Sequence, residues 1–288
     1  MSDLATFNTH RPRLWGLAYR MLGIRADADD VLQEAWLRWR EVDSAALASS
    51  EAWLVTVTTR LAIDRLRLQK RERERYPGPW LPEPVTEFAA PPEAAYEFVN
   101  DVSLAFLAVL ERLSPQERAA YLLYEVFDTG YDEIAAMLDK SAAACRQIVH
   151  RARERIQAAK PRFAVSQDQH RALLARFAAA AQSGTAEQLL AVFAEEAMLV
   201  SDGGGKAVAA RRPLHGAERL MRLFQVLARQ RDGQQQRFMI ASFNGEPGLL
   251  HYLDGVLVTA YAVVGDGERI HALYAVRNPD KLAALSQA

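Results

Sequence analysis

The stretch that most constrains the fold is residues 131–157, YDEIAAMLDKSAAACRQIVHRARERIQ. Residues 131–138 read as a short helix, and Asp139-Lys140 make a tight turn. Ser141 suits an N-cap, because its hydroxyl can accept from an unpaired first-turn N–H. A longer helix then runs to about residue 157, with Cys145, Val149, Ala152 and Ile156 on one apolar stripe at helical spacing. Ala143, Arg146, Gln147, His150 and Arg153 fall on the opposite face, and six Lys/Arg stand against Glu154 between positions 141 and 162. Turn length, cap and one-sided basic face together predict a helix-turn-helix that presents small residues, amides and guanidinium groups to base edges and charge to phosphates. A basic helical hairpin within any all-α domain would carry the same pattern.

The chain has 288 residues, enough for two domains or more, and a net charge of −1, so a nucleic-acid surface must be local and offset elsewhere. Its one cysteine, Cys145, sits on the core stripe and reads as a small buried hydrophobe. The first residues, MSDLATFNTHRP, lack the apolar run of a signal peptide, and no segment reaches the roughly 18 apolar residues of a membrane span. The expected location is the cytoplasm.

Residues 4–22 form a predicted helix with Leu14, Leu17, Ala18 and Met21 inside and Gly23 as its stop. A second helix opens at Asp27 or Ala28, with Leu32, Ala35, Trp36 and Trp39 as its core stripe. Asp27, Asp30 and Glu34 fall on another face, in a run of four acids without a base. That face suits either plain solvation or docking on a basic protein partner. After the loop DSAALASSE comes a third helix, for which Leu54, Val57, Leu61 and Leu68 are the predicted stripe. Thr56, Thr59, Arg60 and Arg67 share its other side, with Ile63 among them as an imperfection. Seven Lys/Arg against three acids over residues 60–75 fit a helix lying on a phosphate backbone, and equally a solvated face laced with ion pairs.

DADDVLQEAWLRWR, AWLVTVTTRLAIDRLR and the later helix-turn-helix resemble, in order and spacing, the extracytoplasmic-function sigma factors, specificity subunits of bacterial RNA polymerase. The resemblance implies that Asp27, Asp30, Glu34 and Arg38 dock on the polymerase clamp. It implies that Ser49, Ser50, Thr56, Arg60 and Arg67 engage the single-stranded minus-ten element. It implies that Ser141, Ala143, Arg146, Gln147, His150 and Arg151 meet the minus-thirty-five element. One departure stands out: Thr59-Arg60 occupy a step where many members carry Arg-Asn.

Residues 76–92 hold six of the twelve prolines and read as an extended, semi-rigid linker. Within it Trp80-Leu81-Pro82-Glu83-Pro84 reads as a segment that docks in a groove, although a stray exposed aromatic would look the same. A helix is expected over residues 93–113 with Val102, Phe106, Val109 and Leu110 inside. A capped start at Ser114-Pro115 leads a helix burying Tyr121, Leu122 and Val126. Beyond Pro161 the pattern changes. Helices are expected over 170–183, 186–193 and 214–231, a strand at AMLVSD, and four further β-rich runs broken by Gly, Asn and Asp turns. Helices followed by a curled antiparallel sheet make an α+β domain, similar to the SnoaL-like cone fold that one sigma subgroup carries fused at its C-terminus. That subgroup's motifs have counterparts in Trp80-Leu81-Pro82, in Asp202-Gly203-Gly204-Gly205-Lys206 and in Asn278-Pro279-Asp280-Lys281. The resemblance implies that these are regulatory contacts.

A P-loop at Gly204-Gly205-Lys206 is excluded by Val200 and Ala207, which stand where a glycine and a Ser/Thr are required. Asp202, His215, Tyr252, Asp254, Tyr261 and His271 are the residues from which a cone-fold enzyme would draw an acid and base. The six histidines show no metal-type spacing. The expected architecture is therefore multidomain. Two all-α sigma domains, 1–75 and 93–160 with the helix-turn-helix in the second, flank the linker 76–92, and an α+β SnoaL-like regulatory domain spans 164–288. The expected partners are the RNA polymerase core and promoter DNA, with intramolecular contacts from the C-terminal domain; no membrane, metal or cofactor is expected. A helix-turn-helix regulator with a ligand-sensing domain, and an enzyme with a DNA-binding appendage, are the alternative readings.

Overall fold

The computed structural model describes residues 3–86, 103–159, 163 and 165–285. Residues 93–102 of the helix expected over 93–113, Val102 among them, the prolines 91 and 92, and Pro161 lie outside the described residues. The described chain divides into two units. The first holds residues 3–75 and 106–159; the second holds 76–86, 103–105, 163 and 165–285.

In the first unit, α1 (Asp3–Leu22), α2 (Arg25–Trp39) and α3 (Ser50–Arg73) make a three-helix module. α1 ends where Gly23 takes φ +69. Its inner residues Leu14, Trp15, Leu17, Ala18 and Met21 are fully buried. Two expectations change here. Asp27 is buried rather than part of an open acidic face, because Arg65 (2.8 Å) and the Gln69 amide both donate to its carboxylate. The buried stripe of α3 is Leu54, Val55, Thr58, Thr59, Ala62, Ile63, Leu66 and Gln69, while Leu68 is exposed. Thr59 and Ile63 thus face inward. Apolar residues are spread around this helix, so the partners across the module set its phase rather than its own periodicity.

The second helical module follows. α4 (Leu104–Leu110) precedes α5 (Pro115–Glu125), whose start is a full capping box between Ser114 and Glu117. On α4, Val109 and Leu110 are buried and Phe106 is half-buried; on α5, Leu122 and Leu123 are the buried pair, with Tyr121 and Val126 half-exposed. α6 (Tyr131–Leu138) ends at Asp139 in the left-handed region, φ +55, and α7 (Ala142–Ala159) follows. Ser141 caps α7, accepting from the Ala144 N–H at 3.2 Å. Cys145, Val149, Ala152 and Ile156 are the buried stripe, as predicted.

In the second unit, α8 (Gln167–Ser183) and α9 (Ala186–Val192) lead into β1 (Phe193–Asp202). Residues 214–231 do not form one helix. Leu214–His215 pairs with β1 as a short strand, β2, and α10 (Ala217–Gln230) starts only after Gly216, at φ +95, breaks the path. β3 (Gln236–Phe243), β4 (Glu246–Leu253), β5 (Val256–Gly265) and β6 (Ile270–Val276) follow, then α11 (Pro279–Leu282). The sheet order is β2-β1-β6-β5-β4-β3. It is not wholly antiparallel as expected: β1 and β6 run parallel, and the intervening chain supplies the crossover that a parallel pair needs. Register shifts in β1, β4 and β5 mark irregularities that bend the sheet around its core. There the Phe177 ring meets Phe224 and Tyr261 edge-on, with centroids 5.3 and 5.6 Å away.

His251 on β4 is fully buried, stacked on Phe238 at 4.3 Å, and neither ring nitrogen has a hydrogen-bond partner. Burial, with Arg231 and Arg277 nearby, pushes its pKa down to about 3. As pH falls below the ordinary histidine value, the unfolded chain takes up a proton that the folded ring refuses. Stability therefore declines with falling pH, by up to about 1.4 kcal/mol per pH unit. His251→Phe keeps the ring stack and removes this term. Urea denaturation at about pH 7 and about pH 5 is expected to show a smaller acid loss in the variant.

Candidate functional site

On α7, Ala143, Arg146, Gln147, His150 and Arg151 are all exposed. Neighbouring arginines are committed elsewhere: Arg153 to Glu125, and Arg155 to Glu117 at 2.9 Å, which tie α7 to α5. Arg146 lies over the Tyr131 ring, 5.3 Å from its centroid, so its planar group is held at the exposed end of the helix. His150 pairs loosely with Glu154 at 3.5 Å. Ser141 is fixed as the cap, and sets where α7 begins. An exposed row of this kind at the start of the second helix can enter a major groove.

The expected strand-contacting residues of the first module divide. Ser49 caps α3 through the Ala52 N–H, and Ser50 opens that helix. Thr56 donates back to the Ala52 carbonyl at 2.7 Å, while Arg67 pairs with Asp64 at 2.8 Å on the open surface. Arg60 donates from Nε to the Met137 carbonyl at 3.0 Å and from Nη2 to the Ala136 carbonyl at 3.2 Å, both at the end of α6. That arginine thus joins the two helical modules. They are further joined by Arg13, donating to the Phe127 carbonyl at 2.9 Å, and by buried Arg118, which reaches the Met21 carbonyl at 2.6 Å and Glu111 at 2.8 Å. Arg73 also pairs with Glu111. No periodicity signals these contacts, because each spans 38 residues or more except the Arg118–Glu111 pair.

Of the expected partner-docking residues on α2, Asp30 and Arg38 are exposed and Glu34 is half-exposed, with an Arg38–Glu34 ion pair at 3.0 Å. Asp27 is removed from that surface by its burial against Arg65 and Gln69.

In the second unit, three distant motifs meet at one carboxylate. Asp202 is fully buried at the end of β1. Its Oδ1 accepts from the Tyr76 hydroxyl at 2.6 Å and the Gly204 N–H at 3.1 Å. Its Oδ2 accepts from the Leu81 N–H at 2.8 Å and from Lys281 Nζ at 2.7 Å. Lys281 also donates to the Leu81 carbonyl and lies over the Trp80 ring, 3.9 Å from its centroid. Trp80 is therefore a docked aromatic rather than a stray one. Leu81, Pro82 and Pro84 are buried, and Val85 exchanges backbone and side-chain hydrogen bonds with Asn244. Asn278 caps α11 through the Asp280 N–H and donates from Nδ2 to the Tyr76 oxygen at 3.1 Å. Burial and the Asp202 carboxylate push the Tyr76 pKa well up, which keeps it a donor. Lys206 pairs with Asp280 at 2.6 Å in the open. Gly204 (φ +60) and Gly205 (φ +73) allow the close approach: a Cβ on Gly204 would fall 2.3 Å from the Asn278 side chain, and one on Gly205 2.8 Å from Pro77. Tyr76, absent from the sequence-derived site, could have been found as the one aromatic at the linker's start.

The residues from which an enzyme would draw an acid and base have separate partners, and Tyr261 packs edge-on against Phe177 in the core. Asp202 is committed as above, His215 is exposed on β2, and Tyr252 lies under Arg237. Asp254 accepts from the Gln235 N–H in a turn, and His271 pairs with Asp266 at 2.8 Å.

Removing one partner of a buried ion pair leaves an uncompensated charge, at a cost of about 3–5 kcal/mol. Lys281→Met and Asp202→Ala are each expected to raise amide hydrogen exchange at Leu81 and Val85 by orders of magnitude, while β5 and β6 stay protected.

Residues 6–72 match the Sigma-70 region 2 family, and residues 103–156 match Sigma-70, region 4. The ECF RNA polymerase sigma factor SigJ of Mycobacterium tuberculosis is 35% identical, covering 97% of this chain and 93% of the relative. A probable ECF RNA polymerase sigma factor, SigI, of the same species is 33% identical over 65% of this chain and 66% of its own length. The crystal structure of the M. tuberculosis extracytoplasmic function sigma factor SigJ superposes with a TM-score of 0.76 at 34% identity, covering 98% of each chain.

Proposed function

Since the chain belongs to the extracytoplasmic-function family of RNA polymerase sigma factors, we propose that its C-terminal domain controls its activity by holding the linker between the two DNA-facing modules. As a sigma factor the chain binds the polymerase core and promoter DNA and directs initiation. In this reading region 2 is 1–75, the linker 76–92, region 4 93–160 and the regulatory domain 164–288. Asp30, Glu34 and Arg38 dock on polymerase. Ser49, Ser50, Thr56, Arg60 and Arg67 serve the minus-ten element, and Ala143, Arg146, Gln147, His150 and Arg151 read the minus-thirty-five element. Its role is to direct another enzyme rather than to catalyse, and its place is where polymerase works, in the cytoplasm. Among the described residues no helix is long and apolar enough to cross a membrane.

The observation that carries the regulatory reading is Asp202. Its carboxylate takes hydrogen bonds from the linker at Tyr76 and Leu81 and from the tail at Lys281. A captured linker limits the distances the two modules can reach, and promoter spacing demands one of them. Arg60 supports the same view: in the closed packing it is bonded to α6 carbonyls and has to leave them to meet a DNA strand. Regulation is then a population shift between closed and polymerase-competent arrangements.

In reconstituted transcription with core polymerase, Lys281→Met and a chain ending at residue 277 are both expected to raise initiation several-fold. A chain ending near residue 161 tests the whole domain. Unchanged output from all three would remove the regulatory claim, and failure of core polymerase to retain the full chain in a pulldown would remove the docking assignment. Arg146→Ala and Gln147→Ala are each expected to cost about 1–3 kcal/mol of minus-thirty-five discrimination, measured as lost preference between cognate and substituted promoters.

A further inference from the structure

A cavity of about 260 Å³ opens in the second unit between α10 and the sheet. Its walls are largely apolar, with Leu199, Leu223, Phe224 and Leu227 among the lining residues, and its polar lining includes Arg231, Arg277, Tyr261 and Ser201. Arg231 is only 8% exposed. Burial and the charge of Arg277 hold its pKa below the ordinary arginine value, and the Tyr261 hydroxyl is its hydrogen-bonding neighbour. Arg277 donates to the Val208 carbonyl, while its buried Nε has no partner. Among the described residues neither guanidinium is in an ion pair. The nearby His251 ring, whose nitrogens lack partners, feels both arginines as well and supplies no negative charge.

Two cations facing one hollow, without a counter-ion, are unfavourable in a low-dielectric site until an anion joins them. Guanidinium forks match the two oxygens of a carboxylate. The walls decide the rest. A free phosphate would leave the apolar lining uncovered, and a nucleotide exceeds a volume that lies below the usual range for drug-sized ligands. We propose that this cavity binds a small organic monocarboxylate, its carboxylate between Arg231 and Arg277 and its hydrocarbon part against Leu223, Phe224 and Leu227. The site does not depend on promoter activity, and its test needs no polymerase. It abuts the linker-holding segments in sequence, since Arg277 directly precedes Asn278 and Val208 follows Lys206 by two residues.

The test is calorimetric titration of the full chain with isovalerate, benzoate and phenylacetate, each beside its primary amide. At least one acid is expected to bind one-to-one and at least tenfold more tightly than its amide. Arg231→Met is expected to abolish that binding. Leu223→Trp, which fills the hollow and leaves both arginines in place, is expected to do the same, and circular dichroism checks that each variant is folded. The proposal is overturned if no acid exceeds its amide, or if binding survives in Leu223→Trp or in folded Arg231→Met.

Discussion

The buried Asp202 carboxylate, with the Lys281 ammonium beside it, is the contact that ties the linker and the C-terminal tail to the sheet of the second unit. A charge with no exposure must be matched by an opposite charge and by donors to its remaining lone pairs. Here four donors come from Tyr76, Leu81, Gly204 and Lys281, which span three separate stretches of chain. Desolvation makes such a pair a modest source of net stability but a demanding one in geometry, since losing any one segment leaves charge or lone pairs unmet. The apolar core built from Phe177, Phe193, Phe224 and Tyr261 needs none of these groups. The sheet's core and the anchorage of the linker thus draw on separate groups, a separation that the proposed control by linker capture requires.

A comparable division governs the arginines of the first unit. A chain with net charge −1 has no general attraction for nucleic acid, so what matters is which cations are already matched. Arg65, Arg73, Arg118, Arg153 and Arg155 hold carboxylates that pin helices together. Arg146 and Arg151 project from α7 with no carboxylate ion pair among the described contacts, beside exposed Gln147. Arg60 belongs to both sets, because backbone carbonyls hold it at little cost to exchange: a carbonyl bond is weaker than one to a carboxylate. Its commitment is reversible in a way that Arg118, buried against Glu111, is not.

What the sequence revealed follows the range of the interactions concerned. The helix-turn-helix was legible because cap, turn and stripe are local: Ser141 caps three residues on, and Cys145 to Ile156 repeat on one face. The phase of α3 was not, because Thr58, Thr59 and Gln69 are buried on it while Leu68 is exposed, and only the partners across the module decide that. Asp27 looked like a surface acid since its partners, Arg65 and Gln69, lie 38 and 42 residues away. Gly216 split an apparently continuous helical pattern because its φ of +95 ends β2 before α10 can begin. Trp80 stood out as an aromatic in a proline-rich linker, whereas Lys281 was marked by family resemblance alone; nothing in the spacing of Trp80, Asp202 and Lys281 announces that they meet.

The parallel pairing of β1 with β6, in place of the expected antiparallel sheet, explains why they do. In that register Asp202 lies opposite Val276, so both strands finish at the same end of the sheet. The glycine loop leaves β1 there, and the Asn278–Lys281 tail leaves β6 beside it, with the Arg277 and Asn278 N–H groups both donating to the Asp202 carbonyl. Had the pair been antiparallel, those two exits would lie at opposite ends, about 30 Å apart for strands of this length. No side-chain choice could then bring Lys281 to Asp202. Strand direction comes first; the meeting of the carboxylate, the lysine and the captured linker depends on that arrangement.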